Sequence, residues 1–156
     1  MNNLTKLIDY GQSYWLDKLT RSMITSGELK KRITKEGLRG QTSNPAIFHK
    51  AISESPDYNK QIGKLAKEGK SVLEIYDALT IKDVQDACDL FKHVYDSSNC
   101  VDGYVSLEVS PYLAHNTEET LSEARRLFAA VNRSNCHIKI PGTAACIPAI
   151  EQALYE

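Results

Sequence analysis

The order of residue patterns predicts an α/β fold with a parallel sheet. Two observations carry that expectation. Short strand-like runs alternate with longer helical patterns along the 156 residues, as in chains built from βα units. The last two strand-like runs are also apolar on one face and carry charge on the other.

Taken in order, residues 3–9 read as a short helix. Ser13 to Asp17 reads as a short aromatic strand ending in a carboxylate. Residues 20–36 read as helical, with Ser26 as an N-cap before Gly27-Glu28-Leu29 and Gly37 as the stop. Leu38 to Ser43 is a second strand, ended by Asn44-Pro45, and a proline suits the first turn of the following helix because it has no N–H to leave unpaired. Residues 56–68 form a helical pattern stopped by Gly69. Residues 71–96 form another, with a break expected near Thr80. From Ile81 its apolar residues Val84, Cys88, Phe91 and Val94 recur close to a 3.6-residue period.

Gly103 to Ser110 is the clearest strand. Asn116 with Glu119 predicts a capping box for a helix whose apolar stripe is Leu121, Ala124, Leu127, Phe128 and Val131. Cys136 to Ile140 is a fourth strand, stopped by Pro141-Gly142. A last helix starts near Ala144 and is still running at Glu156.

Strand residues alternate between faces. Val105, Leu107 and Val109 therefore share one face, opposite Tyr104, Ser106 and Glu108. Ile138 and Ile140 likewise oppose His137 and Lys139. An open sheet could leave the polar face in water, whereas a closed barrel would turn it inward and partly desolvate Glu108 and Lys139. Desolvation favours a neutral lysine, which is a nucleophile toward carbonyls. The plainer alternative is a structural ion pair or an exposed sheet edge. Asp17 and Asn44 end the first two strands, at the strand ends where α/β barrels place their chemistry. Either could equally be a turn former or a helix cap.

Composition excludes several classes. Hydrophobic residues make up 42% and charged residues 25%, and the net charge is -1, values of an ordinary globular chain with no pull toward nucleic acid or membrane surfaces. No apolar run approaches the roughly 20 residues of a membrane span, and Met1 to Lys6 lacks a secretion signal's apolar stretch. Cys88, Cys100, Cys136 and Cys146 form no C-x-x-C, so a reducing, cytoplasmic setting is expected. His49, His93, His115 and His137 show no metal-ligand spacing, and Gly37-Leu38-Arg39-Gly40 is not a phosphate loop.

Four segments carry a specific resemblance. Gly40-Gln41-Thr42-Ser43-Asn44-Pro45 resembles the T-[ST]-N-P signature of transaldolases. Val105 to Pro111 resembles the family's third strand with its glutamate, and Ile138-Lys139-Ile140-Pro141 the strand with its Schiff-base lysine. Tyr14-Trp15-Leu16-Asp17 is similar to the first strand of the longer bacterial branch. The segments fall in family order, and the resemblance spans essentially all 156 residues.

The resemblance implies a (β/α)8 TIM barrel, no metal or organic cofactor, and transfer of a dihydroxyacetone unit from a ketose phosphate to an aldose phosphate, in the pentose phosphate pathway. It implies that Lys139 forms the Schiff base, Glu108 activates a water and Asp17 takes the C4 hydroxyl proton. Asn44 and Thr42 would bind the dihydroxyacetone hydroxyls. Pro141-Gly142-Thr143-Ala144-Ala145-Cys146 departs from the family sequence beside the lysine. A full barrel needs about 250 residues. Residues 1–156 are therefore expected to be its N-terminal half, about four β/α units truncated before the fifth strand. Such a chain would be inactive until a C-terminal half or a second copy closes it. The alternatives are a Schiff-base aldolase acting on fructose 6-phosphate without transfer, and a catalytically silent half-barrel module.

Overall fold

A computed structural model describes residues 3–156 of the chain. Met1 and Asn2, part of the segment read above for a secretion signal, lie outside the described residues. The strands are β1 (Tyr14–Asp17), β2 (Leu38–Thr42), β3 (Tyr104–Glu108) and β4 (Cys136–Lys139). They form one parallel sheet in the order β1-β2-β3-β4. The helices are α1 (Arg21–Thr25), α2 (Glu28–Glu36), α3 (Pro45–Glu54), α4 (Asn59–Lys67), α5 (Val72–Ser97), α6 (Thr117–Val131) and α7 (Ile147–Tyr155). Consecutive parallel strands joined by helices, in chain order, are the repeating unit of a β/α barrel, and four of them make half of one.

The core lies on the helix-covered face. Val105 and Leu107 of β3, with Val109 just past its end, are buried against Val84, Cys88, Phe91 and Val94 of α5, so the alternation read from the sequence holds. Among the described residues, no helix is long and apolar enough to cross a membrane.

Several local expectations change. The stretch 20–36 is two helices. Thr20 caps α1, Ser26 closes it rather than opening the next helix, and Gly27 turns the chain at φ 80°. Gly37 does end α2, at φ 76°. No break occurs near Thr80, because its hydroxyl donates to the Tyr76 carbonyl (3.1 Å) within an unbroken α5. The reciprocal capping box belongs to Ser71 and Glu74, which start α5. At α6, Asn116 accepts from the Glu119 N–H. Thr120 joins Ala124, Leu127 and Val131 on the buried face of α6, whereas Phe128 is 51% exposed. On the exposed face of α6, Arg125 pairs with Glu156 and Arg126 with Asp77 and Glu123. As expected, the last helix is still running at the end: α7 spans Ile147–Tyr155, and the Glu156 N–H makes the helical bond to the Gln152 carbonyl.

Two glycines are dictated by close approach. A Cβ on Gly40 would lie 2.3–2.6 Å from the Trp15 indole, which lies across β2. Gly103 has φ +86°, and a Cβ there would meet the Tyr95 backbone nitrogen at 2.4 Å. Only glycine fits this entry to β3.

Candidate active site

The chemistry-bearing residues gather at the C-terminal end of the sheet. Lys139 ends β4 and Glu108 ends β3, as register partners on the same face. Lys139 Nζ lies 3.3 Å from Glu108 Oε2, with the two side chains 39% and 23% exposed. Lys139 Nζ also donates to the backbone carbonyl of Ser43 at 2.9 Å, reaching past β3 to the end of β2. The pair is therefore partly desolvated and tied on two sides.

Asp17 and Thr42 are register partners on β1 and β2. The Thr42 hydroxyl donates to Asp17 Oδ1. Thr42 thus spends its proton on Asp17, holding the carboxylate while its own lone pairs stay available. Asn44 follows β2 and caps α3, its Oδ1 accepting from the Ile47 N–H at 3.0 Å. The cap fixes which way the amide points. Its oxygen is committed to the helix, so the group left for a ligand is the NH2 donor pair.

In the first turns of α5, the Tyr76 phenol is raised from its ordinary value by burial, then by the charges of Asp77 and Glu108. It therefore stays a protonated donor beside the glutamate. On the inner face of the sheet, the His137 ring stacks on Tyr104 at 3.8 Å and lies 6.5 Å from Trp15. Loss of hydration lowers its pKa below the usual imidazole value. These rings fill the inner face beneath Lys139.

Lys139 and Thr42 open into a cavity of about 820 Å³, bounded on the far side by Phe128 of α6 and Ile150 and Leu154 of α7. The cavity follows the outer edge of β4. Val105 and Val109 donate their N–H groups to the carbonyls of Asn135 and Lys139. Odd-numbered residues of β4 thus face β3, and Cys136 and Ile138 turn their backbone groups to the open edge.

The structure brings all five sequence-predicted residues (Asp17, Thr42, Asn44, Glu108 and Lys139) to one end of one sheet. It adds Ser43, which sequence reading passed over because its contribution is a backbone carbonyl. Cys146 is buried in the turn before α7, with its Sγ directed to the Ala114 carbonyl (3.3 Å), a packing position. Among the described residues, no three His, Cys, Asp or Glu side chains converge as metal ligands would.

Residues 14–156 match the family model described as Transaldolase/Fructose-6-phosphate aldolase. Similar curated proteins include "Transaldolase 2" of Nostoc punctiforme, 48% identical over 99% of this chain, and "Transaldolase" of Trichodesmium erythraeum, 49% identical over 99%. "Transaldolase" of Saccharopolyspora erythraea is 46% identical, again over 99% of the chain. The chain spans 41–42% of the length of these relatives.

Proposed function

The chain belongs to the transaldolase/fructose-6-phosphate aldolase family, and from that premise we propose that it carries the Schiff-base half of a transaldolase active site. The observation that carries this reading is the Lys139–Glu108 pair, 3.3 Å apart at the catalytic end of a parallel β/α sheet.

Chemistry follows from the positions. The Lys139 amine adds to the C2 carbonyl of a ketose phosphate such as fructose 6-phosphate or sedoheptulose 7-phosphate. Glu108, through a water, supplies and recovers the protons as water is lost and the iminium forms. The iminium accepts the electron pair of the C3–C4 bond. Asp17, held by Thr42, takes the C4 hydroxyl proton, and an aldose phosphate leaves. An acceptor aldose phosphate then takes the retained three-carbon unit by the reverse steps, and hydrolysis frees the lysine. The Asn44 NH2 group donates to hydroxyls of that unit. No metal or organic cofactor enters this route.

We assign residues 1–156 to the first four β/α units of the barrel. The open edge of β4 and its apolar cavity would be covered by the strands and helices that a (β/α)8 barrel places next, so turnover requires a complementary half, from a longer polypeptide or a second copy. The four free thiols suit the cytoplasm.

The test is borohydride trapping with fructose 6-phosphate, read as intact mass. We expect a Lys139-dependent adduct when the chain is mixed with the remaining C-terminal portion of a relative such as the Trichodesmium protein, and little with the chain alone. No adduct in either case refutes the Schiff-base assignment. Transfer to an added aldose phosphate, rather than simple cleavage, separates transaldolase from aldolase.

A further inference from the structure

Lys139 belongs to β4, yet its ammonium is held by the Ser43 carbonyl just past the end of β2, two strands away. Something must hold that carbonyl in place. Strand pairing does not, because the β2–β3 ladder runs only from Gly40↔Tyr104 to Gln41↔Val105. Ser43 lies beyond it and just outside β2.

Side chains take over where the ladder ends. Ser43 is fully buried, and its hydroxyl donates to the Ser106 carbonyl of β3 at 2.7 Å. Ser106, 3% exposed, returns a longer bond of 3.4 Å to the Gln41 carbonyl. Water cannot substitute for a bond at a site with no exposure, so losing the Ser43 hydroxyl frees the peptide that Lys139 grips.

We propose that Ser43 is a positioning residue for Lys139: its buried hydroxyl locks the residue to β3 so that its carbonyl holds Nζ beside Glu108. The ammonium has three N–H positions. The Ser43 carbonyl accepts one N–H and the Glu108 carboxylate lies 3.3 Å away, so one ammonium proton passes through a water to Glu108 and the lone pair it leaves bonds to the incoming carbonyl carbon. The proposal rests on Lys139 being the reacting amine, but the lock itself is a property of the folded chain.

Two readouts test the lock and the reading separately. The first is trace acetylation of the chain with acetic anhydride, with Lys139 scored by peptide mass spectrometry against Lys92 on α5 in the same sample. Ser43→Ala should raise the Lys139/Lys92 ratio about threefold to tenfold, the range of one hydrogen bond. Ser43→Thr, which keeps the hydroxyl, should restore the ratio. Ser106→Ala, which keeps the Ser106 carbonyl and loses only the longer bond to Gln41, should move it less than Ser43→Ala. Ser43→Cys, a weak donor of similar size, should fall between and serves if the alanine variant does not fold.

The second readout is the borohydride adduct with fructose 6-phosphate in the presence of the complementary half. Its rate should fall about tenfold in Ser43→Ala. Local loosening thus raises acetylation while lowering adduct formation, whereas general unfolding would expose every lysine. An unchanged acetylation ratio in both Ser43→Ala and Ser43→Cys overturns the lock. A shifted ratio with no wild-type adduct upholds the lock and overturns the Schiff-base reading.

Discussion

Replacing Arg21 by Met tests how the helix behind Asp17 is anchored. Arg21 Nε lies 2.8 Å from Asp83 Oδ1, and the two side chains are 14% and 1% exposed. The Tyr58 hydroxyl donates to the other carboxylate oxygen at 2.8 Å and accepts the Arg21 backbone N–H at 3.1 Å. Arg21 also lies 4.3 Å from the centre of the Tyr58 ring. One cluster thus joins α1, α5 and the turn before α4. Without the guanidinium, Asp83 is a buried charge with one neutral donor, which costs about 3–5 kcal/mol. A chain of this length has an unfolding entropy of roughly 0.3 kcal/mol/K, so Tm should drop by roughly 9–15 °C at pH 7.

The pH dependence has a definite sign. Burial already raises the Asp83 pKa above its ordinary value, with Arg21 and Tyr58 opposing. A raised carboxyl contributes stability that is complete below the unfolded pKa and is lost as pH rises through the folded one. Removing Arg21 raises the folded value further, so the Arg21→Met penalty should shrink between pH 7 and pH 5. Adding Asp83→Asn removes the stranded charge and should recover more than half the loss. Thermal melts at both pH values measure this. A penalty under 1 kcal/mol, or a double variant as unstable as the single one, would refute the argument.

Three further predictions concern the site and a cap. Thr42→Val removes the hydroxyl that holds Asp17 and should lower transfer in the completed barrel by about 10–100-fold, with the Lys139 borohydride adduct retained; loss of the adduct itself would show that Thr42 serves an earlier step. Ser71→Ala should cost about 1 kcal/mol by urea unfolding. The Ser71 N–H, then Lys70 and the Ser71 hydroxyl, hold Glu74 down to about 2, so its contribution is present above the ordinary carboxylate range and fades as pH falls toward 2. Glu74→Gln should flatten that acid limb.

The alternation, the strand faces and the helix stops were legible in the chain because they depend on neighbours two to four residues apart. Val105, Leu107 and Val109 opposite Ser106 and Glu108 is a period-two pattern, and Gly37 ends α2 for a purely local reason. Asp17, Thr42, Glu108 and Lys139 each end a strand and Asn44 follows β2 as the cap of α3, and together they fall in segments that resemble a known family, so they could be picked out. Thr80 misled because a hydroxyl bonded inside a helix looks the same in sequence as one that breaks it. Phe128 of the α6 apolar stripe is exposed because it borders the open cavity beside β4.

What only the tertiary structure decided is how those residues hold one another. The commitment of Thr42 to Asp17, of the Asn44 oxygen to α3 and of Lys139 to the Ser43 carbonyl all join residues on different strands or at a strand–helix junction. Sequence determined which side chains face the barrel interior, since the pleat has a period of two. The distances among them arise from strand order and register, and those are set by long-range packing of helices on the opposite face.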